Sequence, residues 1–81
     1  MEKSNKIEAT KKREEAAKLR LLAASQKSNA AAHLRQADNP IYPGQSAICI
    51  DKAAIIEALA DNNLATAARL DAEAGAMESA D

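Results

Sequence analysis

The sequence predicts an all-α protein, an antiparallel hairpin of two long helices in a single domain, residues 1–81. Alanine, the strongest helix former, occupies 21 of the 81 positions. Only two glycines and two prolines occur, and three of these four residues lie between positions 40 and 44, where one turn is expected. Residues 1–35 carry a net charge of +5 and residues 36–81 a net charge of −6, which predicts either a basic arm for an anionic partner or two halves that attract each other.

The first helix is expected from about Ser4 to Ala37. The Ser4 hydroxyl is a suitable N-cap, and no helix breaker occurs between it and Ala37. In residues 4–18, Ile7 is the one large apolar side chain, so the charged segment 1–18 is expected to be an exposed helix start. It would project beyond the packed region or lie along another molecule. Leucines in the second half of the helix predict its buried face.

A turn and connector are expected over residues 39–50. Pro40 disfavours helical backbone at Asn39 and so ends the first helix. Tyr42-Pro43-Gly44-Gln45 places proline and glycine at the two central positions of a type II turn. The following run, residues 46–50, contains β-branched Ile48 and Ile50 and is expected to be extended.

The second helix is expected to begin at Lys52, with Asp51 as its N-cap, and to end near Gly75, followed by a frayed tail over residues 76–81. Asn62-Asn63 offers an alternative, a cap that would divide this segment into two short helices. One continuous helix is favoured because its apolar stripe is interrupted only by Asn63. The stripe consists of Ile56, Leu59, Ala60, Ala67, Leu70, Ala74 and Met77.

The core available to this hairpin is small. Six isoleucines and seven leucines are its large aliphatic residues, and valine, phenylalanine and tryptophan are absent from the sequence. A core near this size rarely supplies more than roughly 3–5 kcal/mol of stability. We therefore expect the core to be completed by self-association into a homo-oligomer or by a partner.

A row of basic residues is the first candidate partner-binding site. Side chains seven positions apart lie nearly above one another on a helix, and alanine rows flank this one. Such a row suits an acidic protein surface or, as an alternative, a nucleic acid backbone. The row consists of Lys6, Arg13, Arg20 and Lys27.

Two less specific interpretations of the basic row remain open. The charges can simply keep an exposed helix solvated. They can also pair within the hairpin, because the second helix carries an acidic row of the same spacing that is interrupted by Leu64. That acidic row consists of Glu57, Asp71 and Glu78.

The tip of the turn, Ile41 and Tyr42, is the second candidate partner-binding site. Tyrosine is frequent among the residues that dominate binding energies, and prolines on both sides stiffen this tip. The alternative is structural: Tyr42 covers the open end of the hairpin, with its hydroxyl in water.

Catalysis, a cofactor and a metal site are not expected. His33 and Cys49 are the sole histidine and cysteine, no carboxylates stand at ligand spacing around them, and no glycine-rich loop is present. They are expected to be a surface histidine and a small buried thiol rather than a nucleophile pair. A single cysteine, no membrane-length apolar run and no visible signal peptide favour a cytoplasmic location.

The function that fits these observations is that of a non-enzymatic interaction protein. It would dock on a larger macromolecular complex as an adaptor, inhibitor or assembly component, a type common among proteins encoded by viruses and mobile elements. The alternative is a dimeric nucleic-acid-associated protein, whose four basic contacts would give a log–log salt slope near −3.6 on duplex DNA. A helix-turn-helix-like segment beginning at Thr66 argues little for DNA binding, because its second helix carries Glu73 and Glu78.

Overall fold

The computed structural model describes the backbone of residues 2–80 and the side chains of residues 4–80. It contains two helices, α1 (Glu2–Asp38) and α2 (Gln45–Ser79), which pack against each other along their length. Ion pairs between Arg13 and Glu78 and between Lys27 and Asp61 show that the helices run antiparallel. The molecule is a rod of 62 × 13 × 11 Å. The predicted all-α helical hairpin is therefore confirmed.

Alanine, rather than leucine, forms the helix–helix interface. On each helix the buried alanines are seven residues apart, which places them in one row. A methyl group on both sides lets two helix backbones approach closely and leaves no room for longer side chains between them. The buried apolar residues are Ala9, Ala16, Ala23 and Ala30 on α1 and Cys49, Ala53, Ala60, Ala67 and Ala74 on α2.

The predicted leucine core is accordingly wrong. Leu21, Leu22 and Leu34 of α1 are exposed, and Leu59 of α2 is exposed as well. In the predicted stripe of α2 the alanines are buried, whereas Ile56, Leu70 and Met77 are only half-buried. The alanine rows occupy the centre of the contact, and the larger side chains are displaced to its edges.

The start of α1 is packed rather than projecting. Ala9 and Ala16 are fully buried, so the alanine row continues through the charged segment that was expected to stand free. Most side chains around them remain exposed, as predicted. Helix α1 already includes Glu2, which places Ser4 inside the helix and excludes it as the N-cap.

The connector is shorter than expected. Gly44 adopts φ 87° and ψ −11°, and the Gln45 amide donates to the Tyr42 carbonyl at 3.2 Å, so the type II turn is confirmed. Residues 46–50 are helical, not extended, and Asp51 lies inside α2. Two contacts with α1 favour the helix: the Ser46 hydroxyl donates to the Ala37 carbonyl at 2.6 Å, and Cys49 is buried in the interface.

Helix α2 is continuous through Asn62 and Asn63, as predicted. The Asn63 side-chain amide donates to Gln26 Oε1 at 2.9 Å, so its polar group bonds to α1 instead of capping a new helix. The helix also continues past Gly75 to Ser79, and the Ala80 amide donates to the Ala76 carbonyl at 3.1 Å. The frayed tail is therefore wrong for residues 76–79; position 81 lies outside the described residues.

Candidate interaction surfaces

One side of the hairpin, here called the charged face, holds three residues of the predicted basic row. Arg20 of α1 pairs with Asp71 of α2. Arg13, seven residues before Arg20, pairs with Glu78, seven residues after Asp71. Arg13 Nη1 also lies 3.7 Å from Asp71 Oδ1. The acidic and basic rows therefore meet inside the molecule, as the self-pairing interpretation anticipated.

Lys27 pairs differently because Leu64 interrupts the acidic row. The lysine Nζ lies 2.9 Å from Asp61 Oδ1, three positions before Leu64 on α2. The hydrogen bond to Asp61 raises the pKa of Lys27 above its ordinary value, with a smaller contribution from Glu57. The hydrogen bond to Glu78 likewise raises the pKa of Arg13. Both cations are held in their charged form by carboxylates of the same chain.

Lys6, the remaining member of the row, differs from the other three within residues 4–80. It is exposed and makes no ion pair with residues 4–80. Together with Ile7, Thr10, Lys11 and Glu14 it lines a shallow depression of about 370 Å³ on α1. This patch has two lysines beside an exposed isoleucine, a combination that suits an acidic protein segment.

Exchanging the charges of the Lys27–Asp61 pair, which shares no ion pair with Arg13 or Arg20, tests whether the basic row is neutralised within the hairpin. We expect Lys27→Glu alone to lower the melting temperature by a few degrees, because it places two carboxylates together, and Asp61→Lys in the same chain to restore it. Both shifts should shrink at high salt. Circular dichroism melting of the wild-type protein, of each single variant and of the double variant measures this, and equal melting temperatures for all four proteins would contradict the pairing.

The Lys27–Asp61 pair makes the stability of the hairpin depend on pH. Because the folded pKa of Lys27 is raised above 10.5, its contribution to stability is complete below that pH and is lost as the pH rises through the folded value. The contribution is absent from a Lys27→Met variant.

The turn tip presents the two predicted residues to solvent. Ile41 is 82% exposed and Tyr42 51% exposed. The Ile41 amide donates to the side-chain oxygen of Gln45, which is buried, so the tip is tied to the start of α2. Ile48 and Ile55, one and two heptads beyond Ile41, are exposed as well. Ile55 was not part of the sequence prediction, although its seven-residue spacing from Ile48 was visible there.

The side opposite the charged face is here called the leucine face; its leucines were predicted as a buried core and not as a surface. The bond between Gln26 and Asn63 lies on this side. Apolar residues lie beside the bonded pair on both helices. Each stands four or seven positions from Gln26 or from Asn63, spacings that place side chains on the same side of a helix. They are the half-buried Leu19, Ile56 and Leu70 and the more exposed Leu22 and Leu59.

Cys49 and His33 are placed close to expectation. Cys49 is a free, buried thiol whose Sγ donates to Gln36 Oε1 at 3.9 Å, and His33 is half-buried on the leucine face. Within the described residues, no group of histidine, cysteine, aspartate or glutamate side chains is arranged to hold a metal ion. Over the same residues, neither helix has an apolar stretch of membrane-spanning length.

Comparison with other proteins gives no relative from which a role could be transferred: no family model matches the chain, and no curated protein or solved structure is significantly similar to it.

Proposed function

We propose that this protein is a non-enzymatic interaction protein that docks on a larger macromolecular complex as an adaptor, inhibitor or assembly component. One observation carries the proposal: the helices pack through alanine, and the large aliphatic side chains lie outside. Leu21 is 74% exposed and Ile41 82% exposed, so the molecule offers apolar surface to others instead of using it for its own core. Contiguous exposed apolar surface is typical of interaction sites.

The turn tip is the docking site that this proposal favours. Ile41 and Tyr42 stand at the end of the rod, on backbone fixed by the type II turn and by the bond to Gln45. A rigid anchor loses little conformational entropy on binding. An aromatic residue amid aliphatic ones is a frequent centre of protein–protein binding energy.

The proposed partner is a protein with an acidic surface. Lys6 and Lys11 flank exposed Ile7, and neither lysine makes an ion pair within residues 4–80, which favours an acidic partner at this patch. The proposal includes self-association and a cytoplasmic location, where Cys49 remains a thiol.

The alternative, a dimeric nucleic-acid-associated protein, is less well supported by the geometry. Arg13, Arg20 and Lys27 are bonded to carboxylates of α2, and phosphates would have to displace them. Tyr42 is the one aromatic residue of the sequence, which leaves no platform on which successive bases could stack.

Affinity purification with matched variants tests the proposal. We expect the wild-type protein to recover a protein partner that survives nuclease treatment. The double variant Ile41→Ser, Tyr42→Ser should lose most of it, by about tenfold or more, because two exposed anchors are removed without disturbing the alanine interface. The control Leu21→Ser changes an equally exposed side chain far from the tip and should retain the partner.

Either of two results would contradict this account. Full recovery by the tip variant would remove the docking role from Ile41 and Tyr42. Recovery that vanishes with nuclease in every variant would transfer the function to the nucleic acid alternative.

A further inference from the structure

The leucine face has a defined position on the rod. Leu22 stands four residues before Gln26 and Leu59 four residues before Asn63, so both lie beside the bonded amide pair. Leu22 is 48% exposed and Leu59 52% exposed. Asn63 lies at the middle of α2, and Gln26 lies about two-thirds of the way along α1, so the apolar patch occupies the central part of the hairpin.

The exposed area of the single hairpin is larger than a compact monomer needs. Its accessible surface is 5557 Å². A folded monomer of 8.5 kDa is expected to expose about 4,700 Å². The excess, about 850 Å², reflects the elongated shape of the rod, and side-by-side pairing of two hairpins would cover part of it.

The charges on the leucine face differ between its two ends. Near the free ends of the helices, Glu8, Glu15 and Glu73 outnumber Lys12, which pairs with Glu73 at 3.1 Å. Near the turn, this face carries Lys52 and His33 and no carboxylate. Two hairpins aligned in the same direction would place their acidic ends together, whereas opposite alignment places each acidic end over the end that carries Lys52.

We propose that the leucine face binds a second copy of this chain, with the two hairpins running in opposite directions, to form a symmetric four-helix bundle. Leu22 and Leu59 are its central anchors, and the Gln26–Asn63 pairs lie in its middle layer. In a two-fold symmetric dimer, both subunits contribute the same patch to the interface. A patch in the central part of the rod can meet its own copy when the two hairpins run in opposite directions. The inference rests on the self-association part of the proposed function and identifies its surface; it needs no other partner.

Sedimentation velocity on the purified chain tests the dimer. We expect twice the monomer mass of 8.5 kDa at micromolar concentration. The double variant Leu22→Ser, Leu59→Ser should raise the dissociation constant at least about 100-fold, because both anchors are lost. The control Leu21→Ser, Ile55→Ser changes two side chains that are exposed on the outer sides of the helices and should leave the mass unchanged.

A second measurement covers the case in which the double variant does not fold. If folding and pairing are coupled, the melting temperature of the wild-type protein rises with protein concentration. A wild-type protein that is monomeric, with a concentration-independent melting temperature, overturns the inference and leaves the docking proposal standing. A dimer that persists in the folded double variant assigns pairing to another face and also overturns it.

The direction of pairing is measured by electron–electron distance spectroscopy. A nitroxide is attached at Asp38→Cys in a Cys49→Ala background, near the turn. Opposite alignment about the Gln26–Asn63 layer predicts a separation of about 36 Å along the bundle, because Asp38 lies twelve residues beyond Gln26 and the helix rises about 1.5 Å per residue. A separation below about 30 Å indicates hairpins aligned in the same direction and contradicts the proposed bundle.

Discussion

Replacing Ala23 by leucine is expected to lower the free energy of unfolding by about 1–3 kcal/mol, because added methylene groups in a packed contact force backbone shifts. Ala23 is 1% exposed and belongs to the row that lies against α2. Ala60→Leu is expected to act in the same way from the other helix, since that alanine is fully buried.

The neighbouring alanine provides the control for this substitution. Ala24 is exposed, and leucine has nearly the helix propensity of alanine, so Ala24→Leu should change the stability by less than about 0.5 kcal/mol. Urea unfolding followed by circular dichroism gives both values. If Ala23→Leu were as stable as Ala24→Leu, or more stable than the wild-type protein, the alanine interface would be refuted.

The two glycines are expected to respond with opposite signs to the same substitution. Gly44 has φ 87°, where an L side chain is strained, so Gly44→Ala should destabilise the hairpin by about 1–2 kcal/mol. Gly75 lies inside α2, and a Cβ there would meet no atom within 4 Å. Gly75→Ala should therefore stabilise the helix by about 0.5–1 kcal/mol.

Thermal and urea unfolding of both glycine variants, measured under identical conditions, test this pair. Because each variant adds one methyl group, a difference in sign reports backbone conformation and not side-chain size. A stabilising Gly44→Ala would mean that the turn does not use the left-handed conformation. A destabilising Gly75→Ala would mean that another chain packs closely against that position.

The sequence was sufficient for the hairpin and for the turn. Proline and glycine at positions 43 and 44 specify a type II turn through their own backbone restrictions, which do not depend on distant contacts. Residues 46–50 show the limit of local preference. Ile48 and Ile50 favour strands, but the bond from Ser46 to Ala37 and the burial of Cys49 bring this segment into α2.

The buried face was harder to predict, because a search for hydrophobic periodicity assigns the core to leucine and isoleucine before alanine. The seven-residue alanine row of α1 was visible in the sequence, yet the core was assigned to leucines such as Leu21 and Leu22. The signal that decides the matter is the second alanine row, at Ala53, Ala60, Ala67 and Ala74. Two rows of equal spacing allow close helix approach, and the contact then excludes leucine.

The fate of the basic row depended on the register of the two helices. The antiparallel arrangement places Arg13 and Arg20 opposite Glu78 and Asp71, which the spacing alone suggested. Lys27 would face Leu64 in the same register, and it reaches Asp61 instead. A lysine side chain is long enough to reach a carboxylate three positions away from the expected one. The pairing of the basic row could therefore be predicted from the sequence, whereas the partner of Lys27 could not.

The most direct test of the alanine interface is a nuclear Overhauser experiment on protein whose alanine methyl groups alone are labelled. The account predicts cross-peaks between the two helices, joining methyls of Ala9, Ala16, Ala23 or Ala30 to those of Ala53, Ala60, Ala67 or Ala74. If these alanine methyls gave cross-peaks only within their own helix, the two helices would not pack through alanine, and the central claim would fail.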